Sequence, residues 1–161
     1  MRRSAIAITL LMLGLSGAVR ADAQQIIGEK NGRDIVTVRN IEQTGSKQDL
    51  PIFPGISGKT AGAKHLSMLR VVIPPGGRAK AHIHKGYETA VYLLQGEVET
   101  RYGEGLKKSV INRAGDFIFI PPDVPHQPVN RSDTQPAIAI VVRNDPDEQE
   151  HVVPYPAGKA D

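Results

Sequence analysis

The chain has 161 residues, 40% of them hydrophobic and 23% charged, which suits one folded core and argues against both bulk disorder and a second domain. It contains no cysteine, so disulfides, a thiol nucleophile, a lipid-modified cysteine and any zinc site built on thiolates are excluded. Three of the 20 basic residues and one of the 17 acidic ones fall in the first 23 positions, leaving the remainder close to neutral. With 4% aromatics, no tryptophan and no basic run, nucleic acid is excluded as a partner.

In chain order, Met1-Arg2-Arg3 is a short basic start, residues 4–19 are apolar, and Ala21-Asp22-Ala23 has the small-x-small form of a cleavage site. Residues 1–23 therefore read as a secretory signal peptide, cleaved near Ala23. The mature chain would be residues 24–161, periplasmic or secreted, with no stable membrane association. The apolar run is shorter than the roughly 20 residues of a spanning helix. Residues 34–40, DIVTVRN, alternate Ile35, Thr37 and Arg39 against Val36 and Val38, as a short strand does. Residues 49–64, DLPIFPGISGKTAGAK, are rich in glycine and proline and are expected to be loop. Their Gly58-Lys59-Thr60 is not a phosphate loop, because the glycine needed five residues earlier is Phe53.

From Leu66 the pattern becomes regular: LSMLRVVI, AKAHIH, TAVYLLQGEVETRYG, KKSVIN, GDFIFIP and PAIAIVVRN. Each is short, rich in β-branched or aromatic residues, and bounded by glycine, proline, asparagine or aspartate. No helical period intervenes and no repeat is visible, so the fold class is all-β, an antiparallel sandwich or barrel. The tail from Asp145, charged and then proline-rich, is expected to wrap the surface or remain loose.

Two stretches carry chemistry. In AHIHKGYET, residues 81–89, His82 and His84 lie two apart and leave the same face of a strand, able to aim both imidazoles at one point. In GDFIFIPPDVPHQPVN, residues 115–130, an apolar strand and a proline-rich bend deliver His126, a third imidazole. His65 and His151 sit in surface contexts and carry weaker claims. Arg70, Tyr87, Tyr92 and Arg101 are candidates to line a pocket or meet a carboxylate, although Arg101, like Tyr102, is better suited to a solvated strand face.

Together these stretches resemble the paired motifs of the cupin superfamily. Gly76, His82, His84, Glu88 and Gly96 follow the order of the first motif. Gly115, Pro121, His126 and Asn130 match the second position by position, with Asp123 standing where the family has glycine. The resemblance spans residues 66–143 and implies a single-domain cupin β-barrel of jelly-roll type. It implies His82, His84, Glu88 and His126 as ligands of one divalent transition metal (Mn, Fe, Ni, Zn or Cu), with Glu88 also a candidate catalytic base.

One spacing departs from the pattern: seven residues separate Glu88 from Gly96 where the family has six, which would put Thr89 in the ligand's register. A one-residue slip sends a side chain to the opposite face, so Glu88 and Thr89 cannot both point inward. Either a bulge in residues 85–88 turns Glu88 inward, the reading preferred from sequence, or Thr89 occupies the position and the site has three imidazoles. The expected activity is that of a small-molecule metalloenzyme, an oxidase or dioxygenase, or a lyase or isomerase. The alternative is a non-catalytic cupin that binds a metabolite or metal, or an oligomeric module with a structural ion. The resemblance also implies a homodimer.

Overall fold

The computed structural model describes residues 23–30 and 32–156; the expected signal peptide falls almost wholly outside them. β1 (Gln25–Ile27) and β2 (Thr37–Arg39) pair as a small antiparallel ribbon. The chain then forms β3 (Ile52–Ile56), a single helical turn α1 (Gly58–Ala61), β4 (Ser67–Ile73), β5 (His82–His84), β6 (Thr89–Gln95), β7 (Glu97–Tyr102), β8 (Lys108–Arg113), β9 (Phe117–Ile120), β10 (His126–Asn130), β11 (Ala137–Arg143) and β12 (Val152–Pro154). Ten of these strands make two five-stranded antiparallel sheets, ordered β12-β5-β10-β7-β8 and β3-β4-β11-β6-β9. Among the described residues no helix is long and apolar enough to cross a membrane.

Alternation decides which side of each strand meets the core. Ser67, Leu69 and Ile73 of β4 are buried while Met68 and Arg70 are exposed, and on β6 Thr89 and Leu93 are buried while Ala90 and Tyr92 are exposed. Leu50, Ile73, Ala79, Leu93, Val98 and Ala137 form one buried cluster that draws on both sheets, and Ile52, Leu69 and Val141 form a second within the β3-β4-β11-β6-β9 sheet.

Two expectations are corrected here. The glycine- and proline-rich stretch is not all loop: residues 52–56 pair with β4 as an edge strand, with a register shift between Pro54 and Ile56. An edge tolerates a proline that a central strand would not, since no second ladder needs its missing N–H. The tail is also not merely a surface wrap. Glu148 and Val152 are buried, and β12 extends the first sheet by pairing Val152 with His84 and Pro154 with His82.

The turn residues of the two motifs hold the strands in place. Gly96 has φ +90°, and a Cβ there would stand 3.0 Å from Ala137. Asp123, the departure from glycine, adopts φ +61°; its Oδ1 accepts from the Gly86 amide at 3.3 Å and pairs with Lys85 at 3.2 Å. Aspartate is among the few residues that tolerate this conformation. Buried Asn130 Nδ2 faces the carbonyls of Ile73, Pro74 and Gln135 at 2.8–3.1 Å, and its Oδ1 accepts from the Ser132 amide at 3.0 Å. The asparagine of the second motif is thus a tie between strand ends.

Candidate metal centre

His82 and His84 share a face of β5 because they are two residues apart, and His126 joins them because the antiparallel β5–β10 pair sets it directly opposite His82. All three are buried, and their ligand atoms lie within 4.8 Å of one another. Ring centroids are 4.2 Å apart for His82 and His126, 4.6 Å for His84 and His126, and 5.0 Å for His82 and His84.

Each ring has one nitrogen already engaged. His82 Nδ1 lies 2.7 Å from the Lys80 carbonyl, His126 Nδ1 2.9 Å from the Val124 carbonyl, and His84 Nδ1 2.7 Å from Thr89 Oγ1. A carbonyl can only accept, so Nδ1 of His82 and His126 carries the proton and Nε2 keeps its lone pair. His84 Nε2 is buried with no hydrogen-bond partner. Buried polar atoms are rarely left so. A bound cation explains this orphan, and outer hydrogen bonds to Nδ1 are how metal-binding imidazoles are oriented.

Burial is the main electrostatic influence on the triad, since it disfavours the charged ring. It lowers His82 to about 3, with the neighbouring His126 adding to the effect. His126 falls to about 4 by burial, aided by the Arg143 charge. His84 is lowered by burial, then by Arg143 and by the other two histidines. The rings are therefore neutral at ordinary pH, the form a metal requires.

Glu88 is not brought to the cluster. Its side chain is exposed and its amide donates to Asn144 Oδ1 at 2.8 Å. The inward position belongs to Thr89, 1% exposed, which begins β6 and pairs with Arg143 of β11 and Ile120 of β9. The extra residue between Glu88 and Gly96 is no sign of a bulge before β6. The irregularity lies at the other end, where Ala139 pairs with Leu93 but Ile138 with Gln95. That leaves residues 85–88 as a turn around Gly86, at φ +74°.

Of the other candidates, Tyr87 is buried, stacks on His84 at 5.0 Å between centroids, and donates its hydroxyl to the Glu148 carbonyl at 3.2 Å. Burial raises its phenol above the usual range. Arg70 lies over Phe53 on the outer face, Arg101 pairs with Glu99, and Tyr92 packs against Phe117 outside the core. His65 is exposed, and His151 bonds to Asp145 away from the triad.

The arginine that does line the cavity is Arg143, at the inner end of β11. Its Nη1 lies 3.0 Å from Glu148 Oε2, and both side chains are buried. Burial raises the Glu148 carboxyl, and the Arg143 charge opposes that rise. A sequence signal for Arg143 existed: the inward alternation Ala137, Ala139, Val141 ends on a charged residue. Its partner lay in a tail that composition marked as loose.

The triad opens on a cavity of about 90 Å³ whose wall, beyond the imidazoles and Arg143, is mostly aliphatic, including Ile52, Leu93, Val98, Ile118 and Val141. In comparisons with known proteins, the family described as Cupin domain matches residues 69–143. Residues 69–143 are a cupin domain. Its fold is similar to the oxalate decarboxylase of Lactobacillus farciminis in a formate complex, with TM-score 0.61 and 23% identity over 71% of this chain and 33% of that one. An oxalate oxidase in complex with the substrate analogue glycolate matches with TM-score 0.59 and 25% identity, over 72% of this chain and 60% of that one. A Bacillus subtilis oxalate decarboxylase described for its Mn(II) centres matches with TM-score 0.59 and 17% identity, over 70% of this chain and 29% of that one. The cupin thus spans about a third of the length of the decarboxylases. No match was found among curated proteins.

Proposed function

We propose that this cupin is an exported metalloprotein that binds one divalent transition metal through His82, His84 and His126 and acts as a small-molecule metalloenzyme. The observation that carries the reading is the division of labour within each ring: Nδ1 is tied to a carbonyl or hydroxyl, which leaves Nε2 of three neutral, buried imidazoles as the available ligand. A divalent transition metal bound there supplies Lewis acidity toward an oxygen ligand and, for a redox-active ion, electron transfer.

The chain's own groups set the terms of that chemistry. The Lys80 and Val124 carbonyls hold His82 and His126 in the coordinating tautomer, and the Thr89 hydroxyl, able to accept from Nδ1–H, is compatible with the same tautomer of His84. The aliphatic wall excludes water from the side on which a ligand would lie. A cavity shared with the triad favours a small-molecule ligand over a purely structural ion. The absence of an inward carboxylate at position 88 leaves the three imidazoles as the protein's whole contribution among the described residues and argues against Glu88 as a general base. Export is supported by the signal-like first 23 residues. Homodimerisation is supported by Phe117 and Phe119, 85% and 62% exposed on the outer sheet face, and a monomeric mass in solution would set it aside.

The test is elemental analysis of the protein isolated without an affinity metal. About one equivalent of a single transition metal is expected, lost in His126→Ala. No uptake even after incubation with Mn, Fe, Ni, Cu or Zn would overturn the reading.

A further inference from the structure

We propose that Arg143 is the anion anchor of this cavity, and that the ligand it selects is a small monocarboxylate with an apolar body. The inner face of β11 reads Ala137, Ala139, Val141, Arg143, so a guanidinium, 6% exposed, ends a stripe of core residues. A buried charge is costly unless it is neutralised and its donors are used. Glu148 neutralises this one, yet neither Nε nor Nη1 makes a hydrogen bond, because the 3.0 Å contact to Glu148 lacks the alignment of one. These are unspent donors on a residue that lines the cavity.

Their position relates them to the triad. Arg143 pairs directly with Thr89 across β11 and β6, and Thr89 bonds His84. The charge balance points the same way and rests on the proposed metal reading: with three neutral imidazoles and a neutral Arg143–Glu148 pair, a bound divalent ion leaves the site cationic. A carboxylate meets both the guanidinium and that charge.

The rest of the wall limits the ligand's other end. Ser46 Oγ is held by the amide and carbonyl of Leu50 and Gln48 Oε1 by Gln149, which leaves a largely aliphatic surface apart from Thr100 and the Gln48 amide nitrogen. A second carboxylate, as in oxalate, would meet a surface with no second cation and few donors among the described residues. The cavity of about 90 Å³ holds roughly six to nine water-sized groups, taking ~10–15 Å³ for each, which admits a short aliphatic acid.

The experiment compares binding of butyrate, butyramide and oxalate by calorimetry, on the full chain as isolated and after incubation with Mn(II). The variant is Arg143→Met/Glu148→Gln, which removes both buried charges so that neither is stranded, with circular dichroism to verify folding; Arg143→Lys, which keeps the charge, serves as the second variant. Wild type is expected to prefer butyrate over butyramide by about 10-fold or more, with oxalate binding no tighter than butyrate. That preference should fall to about 2-fold or less in the double variant and survive in part in Arg143→Lys. An unchanged preference in the double variant, oxalate binding tighter than butyrate, or no butyrate binding in either state would overturn the proposal. If neither Mn(II) nor Fe, Ni, Cu or Zn is taken up, the metal reading fails, while the comparison on the chain as isolated still decides the role of Arg143.

Discussion

Replacing Thr89 by valine tests the register of the site with almost no change of shape. Thr89 is 1% exposed, and its Oγ1 lies 2.7 Å from His84 Nδ1. For His84 to offer Nε2 to a metal, Nδ1 must carry the proton and donate it to this hydroxyl. Valine removes the acceptor and leaves a buried N–H unpaired, which costs about 1–3 kcal/mol. Part of that cost appears in the orientation of the ring, and loss of such an outer partner typically lowers metal affinity 10- to 100-fold. Glu88→Ala should change affinity by less than about 2-fold, because an exposed side chain outside the cluster contributes little. The assay is competition for Mn(II) or Zn(II) against a chelator of known affinity, run on wild type and both variants. If Glu88→Ala weakened binding 10-fold or more while Thr89→Val did not, the inward residue would be Glu88 and the register described here would be wrong.

Two further outcomes follow. In the metal-free chain, His82 and His126 are held near 3 and 4 by burial against about 6.5 when unfolded. The unfolded chain then binds more protons below pH ~6.5, and stability should be full above that pH and fall by about 1.4 kcal/mol per pH unit for each buried histidine as pH drops toward 4. Urea unfolding at several pH values reads this slope; stability that stayed level, or rose, from pH 7.5 to 5 would contradict it. Asn130→Asp sets a carboxylate against the Ile73, Pro74 and Gln135 carbonyls and should lower unfolding free energy by about 2–4 kcal/mol. A loss below ~0.5 kcal/mol in thermal or urea unfolding would show that this tie is dispensable.

Much of the site was legible from spacing. His82 and His84 declared a shared strand face by their two-residue interval, and the position of His126 after a proline bend allowed it to meet them once β5 and β10 paired. What local pattern could not settle was which of two adjacent residues faces inward. Glu88 has the better metal-binding chemistry, and Thr89 has the register. The deciding contacts, Thr89 with Arg143 and with Ile120, come from strands distant in the chain. The same limit hid the Arg143–Glu148 pair, because Glu148 looked like part of a solvated acidic run until β12 folded the tail back along β5. The edge strand β3 was masked by Pro54 and Gly55, which read as loop residues and are tolerated because only β4 pairs with them.

X-ray absorption spectroscopy of the metal-loaded chain decides whether three imidazoles hold one ion with no carboxylate from position 88. Outer-shell scattering is expected to fit three imidazoles and to be unchanged in Glu88→Ala. A fit requiring fewer than three imidazoles, or a carboxylate contribution that disappears in Glu88→Ala, would contradict that arrangement.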